Sequence, residues 1–275
     1  LSYAPYNLWP LAFICIAILL FNAKPTETST AKDSTKQGFL FGLGWFGAGI
    51  SWVHVAIADF GGLPLIVSLI LMLILCAYLA IYPALAFGLS AKLLQRNIKN
   101  IQTNVKNDYL WFGCLLPLFI IMEALRATML TGFPWLSLGY IFTDSPFNTL
   151  SPIIGEFGLS IMVLIISFSL LLLIDKKYWQ ALAATSCVLS GLYFTAPLFN
   201  QLEHQEEDIK VLLVQGNIQQ SLKWNPDQAW PTMQKYQDLT RKNWDVDLVV
   251  WPEAAIPEIE TYAYRFLSNL DNAAI

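Results

Sequence analysis

Charged residues are scarce in this sequence. Only 13% of its 275 residues are Asp, Glu, Lys or Arg, whereas a soluble globular chain usually carries about 25%. Hydrophobic residues make up 56%, which excludes intrinsic disorder and disfavours a single soluble domain. The net charge of −4 provides no overall attraction to nucleic acid, so no nucleic-acid partner is expected. The composition therefore indicates a membrane protein.

Cysteine and histidine are also rare. Four cysteines are too few for a disulfide framework, and two histidines argue against a histidine-built metal site or a histidine-dependent triad. All four cysteines lie in apolar stretches, where a thiol is a poor nucleophile; they are Cys15, Cys76, Cys114 and Cys187. We interpret them as packing residues and expect no metal ion and no cofactor.

Six long apolar stretches dominate the first two hundred residues. Most reach the roughly 17–25 residues that cross a bilayer as a helix, and the third is long enough to tilt or to break near Pro83. Leu63–Leu79 and Ile161–Ile174 lack the polar stripe of a soluble helix. The sequence predicts six membrane spans, at about 8–21, 39–58, 63–90, 109–130, 153–174 and 178–199.

Lysine and arginine are unevenly distributed among the loops between these stretches. Nine of them fall in loops 22–38, 91–108 and 175–177, whereas the alternate loops 59–62 and 131–152 contain none. Because basic loops stay on the cytoplasmic side, the chain after the sixth span should lie outside the cytoplasm, which in a bacterium is the periplasm.

Two ionisable residues, Glu123 and Arg126, lie within the fourth predicted span. They are three residues apart and therefore share one helix face. Placing ionisable groups inside a membrane span costs free energy, and such groups often mark a functional site. An ion pair that fixes helix packing explains these two residues equally well. Thr131–Trp135 follows as an aromatic turn, which is either an interfacial anchor or a lipid-facing gate.

The composition changes to that of a soluble domain from Asn200. The sequence predicts an acidic linker, a strand buried on both faces, a helix capped by Asn225, a second buried strand and the start of another helix, at about 200–208, 209–215, 225–243, 245–251 and 267–275. This order of strand, helix and strand favours a parallel pairing of the two strands. Because two strands are too few for a stable sheet, the domain is expected to continue beyond Ile275.

Glu253 follows the second predicted strand in the segment Trp251-Pro252-Glu253. Open parallel sheets bind ligands at the carboxyl ends of their strands, so a carboxylate there is a candidate base. An exposed loop glutamate is the alternative, and Glu258 and Glu260 nearby are equally plausible from position alone.

Motifs in both parts of the chain are similar to those of a known family. Residues 211–224, VLLVQGNIQQSLKW, and residues 248–257, LVVWPEAAIP, resemble the opening of the nitrilase-like domain of bacterial apolipoprotein N-acyltransferases. Glu123-Ala-Leu-Arg126 and Leu130-Thr-Gly-Phe-Pro-Trp135 resemble that family's membrane helices and outer loops. The resemblance covers nearly the whole chain.

The resemblance implies a fold and a location. Residues 1–199 would form a multi-pass α-helical membrane bundle, and residues 209–275 would begin an α/β nitrilase-like domain, an α-β-β-α sandwich. The first residue is Leu rather than Met, and the chain does not open with a basic segment followed by an A-x-A cleavage site, so its start is expected to be an internal cut. The resemblance implies a bundle of eight helices, so one helix before Leu1 and one after the catalytic domain are expected to be missing. The protein would lie in the bacterial inner membrane, with its catalytic domain on the periplasmic side.

The resemblance also implies a reaction, the last step of bacterial lipoprotein maturation. The family transfers an acyl chain from a phospholipid to the N-terminal amine of the diacylglyceryl-cysteine of an apolipoprotein, through a Glu–Lys–Cys triad and a thioester. Glu253 matches the triad glutamate, the general base. Trp224 matches a tryptophan expected either to line the substrate pocket or to pack under the sheet. Our own hypothesis for Glu123 and Arg126 is substrate binding, in which they shape the lipid entry.

The triad lysine and cysteine have no match in this chain. The lysines that precede Glu253 do not correspond to the triad lysine; they are Lys210, Lys223 and Lys235. Both missing groups would lie beyond Ile275, so the 275-residue chain alone is expected to be inactive.

Two other classes of protein remain open. A membrane transporter with a periplasmic binding module would explain the spans and the ionisable pair, although the sequence has no visible inverted repeat. A membrane-tethered nitrilase-type amidohydrolase would share Glu253 but would release acid or ammonia. Only the acyltransferase would convert a diacylated lipopeptide into its triacylated form.

Overall fold

The computed structural model describes residues 1–26, 28–97, 105–200 and 209–274. The chain divides into two compact units, Leu1–Glu203 and His204–Ile275. The predicted acidic linker at 200–208 lies, apart from Asn200, outside the described residues.

The first unit is helical. Its α-helices are α1 (Pro10–Ala23), α2 (Ala31–Gly49), α3 (Val53–Val55), α4 (Leu65–Asn97), α5 (Val105–Thr128), α6 (Ser151–Ile174) and α7 (Tyr178–Asn200). A π-helical turn, Ala56–Phe60, continues α3. Three short 3₁₀ turns link α5 to α6, namely Met129–Thr131, Leu138–Phe142 and Pro146–Leu150.

Several of these helices could cross a membrane. In the described part of the chain, three segments are long and apolar enough, namely Leu65–Arg96, Asn107–Thr131 and Pro146–Ile174. The pair Ala31–Gly49 and Val53–Phe60, bent by 59°, gives a fourth if it counts as one span, and Pro10–Ala23 is a shorter apolar helix. The fold is therefore a helical membrane bundle. The six spans predicted from the sequence stay a prediction.

Two glycines allow α2 to pack closely against α4. A Cβ atom on Gly38 would lie 2.8 Å from the carbonyl oxygen of Pro83, and one on Gly42 would lie 2.8 Å from the Pro83 ring and 2.9 Å from Cα of Ala80. Small residues four apart let helix backbones approach each other inside membranes, where packing rather than apolar burial drives association. The segment Gly38–Gly42 therefore fixes how α2 lies on the Pro83 region of α4.

A cluster of four charged side chains ties together the end of the bundle where α5 begins. Nζ of Lys24 lies 3.0 Å from Oδ1 of Asp108, and Nζ of Lys177 lies 2.7 Å from Oδ2 of Asp108 and 3.0 Å from Oδ2 of Asp175. Desolvation lowers the pKa of Lys177, but its hydrogen bonds to the two carboxylates outweigh this and leave the pKa raised. The cluster joins the end of α1, the start of α5 and the α6–α7 turn.

The second unit contains a parallel strand pair. The strands are β1 (Val211–Leu213) and β2 (Leu248–Val250), paired from Val211 opposite Leu248 to Leu213 opposite Val250. Helix α8 (Pro226–Arg241) connects them, and α9 (Glu260–Ala274) follows. The parallel arrangement agrees with the expected strand–helix–strand unit, whereas α9 begins earlier than predicted.

The prediction that both strands are buried on both faces was wrong for this chain. Leu212 and Val249 pack with Tyr236 and Leu239 of α8, but the alternate side chains of the strands, among them Leu213 at 74%, are exposed. The reason is that, among the described residues, only one face of the pair is covered by a helix. The apolar character of both faces fits a sheet that is covered on each side.

Helix α8 begins where the sequence indicated. Asn225 precedes it in an extended conformation, and its side-chain oxygen accepts a hydrogen bond from the N–H of Asp227 at 3.1 Å. This is an N-cap, which satisfies one of the free N–H groups of the first turn. The N-cap therefore fixes the point at which the loop before α8 joins the helix.

Candidate functional sites

Glu253 lines a cavity at the carboxyl ends of β1 and β2. The cavity has a volume of about 220 Å³, and its lining comes from the segment after β1, from α8 and from the segment after β2. Both strands run parallel, so the residues that follow each strand meet at one edge. The sequence prediction that Glu253 stands at this edge agrees with its position. Its side chain is exposed.

Trp251 fixes the segment that carries Glu253 to helix α8. Its indole Nε1–H donates to Oγ1 of Thr240 at 2.9 Å, and its ring lies 5.5 Å from that of Tyr236, centroid to centroid. Thr240 is buried, so this hydrogen bond replaces water on both groups. The strand end is therefore held to the helix two residues before Glu253.

The segment after β1 also packs onto α8. Gly216 lies so close to Tyr236 that a Cβ atom there would be 2.5 Å from Cζ of the ring, which only glycine avoids. Beyond it, Asn217 has a left-handed φ of 49° and its Oδ1 accepts from Nε2 of Gln215 at 2.8 Å. These residues place a row of amide groups and the half-buried Lys223 around the cavity.

Trp224 lies next to Lys223 but does not line this cavity. Its side chain is 67% exposed. Packing under the sheet, one of the two roles expected for it, does not occur in this unit. Its role in substrate binding stays a prediction.

In the membrane unit, Arg126 binds the aromatic turn that follows α5. Its Nη1 donates to the carbonyl oxygens of Phe133 at 2.5 Å and Trp135 at 2.8 Å. Its guanidinium carbon lies 5.4 Å from the ring centroid of Phe46, within the range of a cation–π contact. The side chain is only 3% exposed. Arg126 therefore folds the turn back onto the helix.

Glu123 holds the next part of the same segment. Its Oε1 accepts from the N–H of Leu138 at 2.6 Å and from the hydroxyl of Ser137 at 3.3 Å, and lies 3.7 Å from Nη2 of Arg126. Among the described residues, neither Oε2 of Glu123 nor Nη2 of Arg126, both buried, has a hydrogen-bond partner. The pair thus binds the backbone of residues 133–138 more closely than its members bind each other.

Left-handed backbone accompanies these contacts. Leu130, Thr131, Gly132 and Leu136 have φ values of 53°, 74°, 82° and 60°. For residues other than glycine, such a conformation costs about 1–3 kcal/mol and persists only where the surroundings impose it. The hydrogen bonds that Arg126 donates and those that Glu123 accepts hold the residues that flank these positions.

Tyr3 and Trp45 hold the turn from the other side. Nε1 of Trp45 donates to the Tyr3 hydroxyl at 3.1 Å, and that hydroxyl donates to the carbonyl oxygen of Leu136 at 3.2 Å. Burial raises the pKa of Tyr3, which keeps the hydroxyl protonated and able to donate. Sequence reasoning missed both residues, because a hydrogen bond across more than a hundred residues leaves no local pattern.

The turn forms one wall of an apolar groove. The groove has a volume of about 510 Å³ and lies between the N-terminal segment, α1 and α2, with Tyr3, Trp45, Leu136 and Leu138 in its lining. Arg126 and Glu123 do not line it. They instead bind the backbone that carries Leu136 and Leu138, so their connection with the groove is indirect.

Cysteines and possible metal ligands are dispersed. Cys15 is exposed on α1, Cys76 is buried on α4, Cys114 is partly buried on α5, and the Cys187 side chain lies outside the described set. Among the described residues, no group of three or more His, Cys, Asp or Glu side chains is arranged to hold a metal ion.

The chain is similar to known proteins along its full length. A family model described as the apolipoprotein N-acyltransferase N-terminal domain matches residues 1–169. A protein of Photobacterium profundum named apolipoprotein N-acyltransferase is 42% identical over 274 residues, which cover 100% of this chain and 51% of that protein.

Proteins of the same name show the same relationship in other bacteria. The one from Shewanella oneidensis is 41% identical over 276 residues, covering 100% of this chain and 51% of its own length. The one from Coxiella burnetii is 36% identical over 287 residues, covering 100% of this chain and 55% of its own length. The chain spans about half the length of the curated relatives that it matches. These similarities show that the chain belongs to the apolipoprotein N-acyltransferase family.

Proposed function

We propose that this chain provides the membrane bundle and the first part of the catalytic domain of an apolipoprotein N-acyltransferase. The acyl donor would be a phospholipid, and the acceptor would be the N-terminal amine of the diacylglyceryl-cysteine of an apolipoprotein. The observation that carries the proposal is the position of Glu253, at the carboxyl edge of a parallel strand pair, in a chain of this family.

Glu253 is proposed as the general base of a Glu–Lys–Cys triad. Its carboxylate would take the proton of the cysteine thiol, and the thiolate would attack the donor ester carbon. The ester C–O bond would then break, the lysophospholipid oxygen would receive that proton, and a thioester would remain. The acceptor amine would attack the thioester, lose a proton to Glu253 and release the thiolate, which recovers the proton. The lysine would stabilise the oxyanion.

The lysine and cysteine of this triad are proposed to come from residues beyond Ile275. The sheet also fits a continuation, because the alternate side chains of β1 and β2 are apolar and exposed in this chain. A nitrilase-like α-β-β-α sandwich would cover them. The 275-residue chain expressed alone is accordingly expected to form no thioester.

Glu123 and Arg126 are proposed to shape the lipid entry indirectly. Their hydrogen bonds hold residues 133–138, which carry Leu136 and Leu138 into the wall of the apolar groove. A lipid chain passing along this wall would depend on them without contacting their charges. Trp224, which is exposed, is proposed to contact substrate.

The proposed location is the bacterial inner membrane, with the second unit on the periplasmic side. The distribution of Lys and Arg among the loops supports this orientation. Both substrates are lipids that present their reacting groups at headgroup level. An enzyme acting on them in this way would carry its active site over the outer leaflet.

The proposal is tested with the gene product that contains this chain, reconstituted with phosphatidylethanolamine and a synthetic diacylated lipopeptide. Mass spectrometry should detect the triacylated lipopeptide. Replacement of a general base typically costs about 10²–10⁴ in rate, so Glu253→Gln should reduce product formation at least about a hundredfold. Glu258→Gln, a change at an exposed glutamate outside the cavity, is the matched control.

Three outcomes would count against the proposal. Release of free fatty acid or ammonia without acylated lipopeptide would indicate the amidohydrolase. Absence of any reaction, with binding of a solute instead, would favour the transporter. Equal activity of Glu253→Gln and the wild type would remove Glu253 from the catalytic machinery.

A further inference from the structure

Lys223 is the cation of the cavity that contains Glu253. Among the described lining residues, Lys223 and Glu253 are those with a full charge, and they have opposite signs. The lysine side chain is half-buried, whereas Lys235 on helix α8 is exposed and does not line the cavity. The cavity therefore offers separate places for an anionic and a cationic group.

The backbone around Lys223 is fixed on both sides. The N–H of Leu222 donates to the carbonyl oxygen of Gln219 at 3.0 Å, and the N–H of Asn225 donates to that of Leu222 at 3.1 Å. Asn225 in turn caps α8. Lys223 thus lies on a closed turn that ends at the start of a helix, which fixes the point beside the cavity from which its side chain extends.

The size and lining of the cavity favour a small polar group. Its volume of about 220 Å³ is below the roughly 300–1,000 Å³ of pockets that enclose drug-sized ligands, so it does not accommodate long acyl chains. Exposed Gln215, Asn217 and Gln220 add amide N–H groups to the lysine ammonium. Amide and ammonium donors together suit a phosphate, which accepts hydrogen bonds on several oxygens.

We propose that Lys223 binds the phosphate of the acyl donor's headgroup. This rests on the proposed function, because it assumes that a phospholipid reacts beside Glu253. In a phospholipid the phosphate is joined to the reacting ester through the glycerol, so an anion held by Lys223 restricts where the ester carbonyl lies. Free phosphate has the same chemistry, and the experiment separates the two sources.

The test compares two acyl donors that carry the same chain. One is phosphatidylethanolamine, and the other is a p-nitrophenyl ester, which has no phosphate. With the gene product that contains this chain, Lys223→Gln should lower kcat/KM for the phospholipid at least about tenfold, the range of a charge-assisted hydrogen bond. The same variant should leave kcat/KM for the p-nitrophenyl ester unchanged.

Two further variants separate charge from shape and position. Lys223→Arg should retain most of the activity towards the phospholipid, because it keeps a cation in the same place. Lys235→Gln removes a lysine of the same unit that does not line the cavity and should resemble the wild type with both donors. Failure of Lys223→Arg to preserve phospholipid turnover would overturn the assignment of a charge contact.

Added inorganic phosphate identifies the source of the bound anion. Competition with the phospholipid in the wild type, absent in Lys223→Gln, would show that the site accepts the free ion as well. Without such competition, selective loss of phospholipid turnover would assign the site to the lipid headgroup. If Lys223→Gln slowed both donors equally or neither of them, the proposal would be refuted.

The readouts also keep this proposal separate from the proposed function. Release of lysophospholipid reports the first half of the reaction, whereas triacylated lipopeptide reports the second. Wild-type release of lysophospholipid without lipopeptide acylation would contradict the acceptor assignment and leave the Lys223 comparison valid. If the wild type and Lys223→Gln both acylated the lipopeptide normally, with the same dependence of rate on donor concentration, only the phosphate site would be refuted.

Discussion

Arg126 and Phe133 are hydrogen bonded to each other in both directions. Nη1 of Arg126 donates to the Phe133 carbonyl oxygen at 2.5 Å, and the Phe133 N–H donates to the Arg126 carbonyl oxygen at 2.9 Å. The side chain and the backbone of one helical residue therefore hold the same residue of the turn. The pair of Glu123 and Arg126 therefore acts mainly on the backbone of the turn.

Arg126→Met should destabilise the membrane unit strongly. It removes both hydrogen bonds that Nη1 donates to the turn and leaves the buried carboxylate of Glu123 without its cation. Breaking a buried pair in this way typically costs about 3–5 kcal/mol. Thermal unfolding of the detergent-solubilised protein should show a clear decrease in Tm, and the KM for phospholipid should rise in any variant that still folds.

The double variant Glu123→Gln with Arg126→Met tests the electrostatic part of this argument. Because the unpaired charge is gone, it should recover part of the lost stability. Arg96→Gln, at an exposed position near the end of α4, serves as the control for loss of an arginine. A Tm of Arg126→Met equal to that of the wild type would contradict the argument.

Gly42→Ala should weaken the packing of α2 on α4. The new Cβ atom would lie 2.8 Å from Cγ of Pro83 and 2.9 Å from Cα of Ala80, and overpacking of this kind typically costs about 1–3 kcal/mol. The matched control is Gly44→Ala on the same helix, where no neighbouring atom of the described residues lies within 4 Å of the new Cβ atom. Alanine is the better helix former, so Gly44→Ala should be neutral or stabilising. Equal Tm values for both variants would show that the close approach of α2 and α4 at Gly42 does not contribute to stability.

The sequence predicted the parts of this chain that depend on local patterns. Asn225 before Pro226 predicted the start of α8, and the two aliphatic runs predicted a parallel pair that places Glu253 at a sheet edge. Capping and strand–helix–strand connections are local rules, so they can be recognised without knowledge of the rest of the fold.

The sequence did not predict contacts between distant residues. Nothing near Tyr3 indicates that its hydroxyl donates to Leu136, and nothing near Asp108 indicates that it binds both Lys24 and Lys177. The sequence shows Lys24 and Lys177 only as positive charges of loops 22–38 and 175–177. Their pairing depends on how the helices pack, which the pattern of apolar residues leaves open.

Lys177 should make the stability of the membrane unit dependent on alkaline pH. Its pKa is raised in the folded protein, since hydrogen bonds to Asp108 and Asp175 outweigh desolvation, and the unfolded value is about 10.4. The folded state therefore holds this proton more tightly than the unfolded state. The resulting stabilisation is fully present below the unfolded pKa and is lost as pH rises through the raised folded pKa. Lys177→Met removes the titrating group. The Tm of this variant should therefore be lower than the wild-type Tm near neutral pH and should approach the wild-type Tm at alkaline pH. Lys176→Met, at the exposed neighbour, should follow the wild type throughout. Parallel curves for the wild type and Lys177→Met across the alkaline range would show that the charge cluster does not stabilise the fold in the way inferred from its geometry.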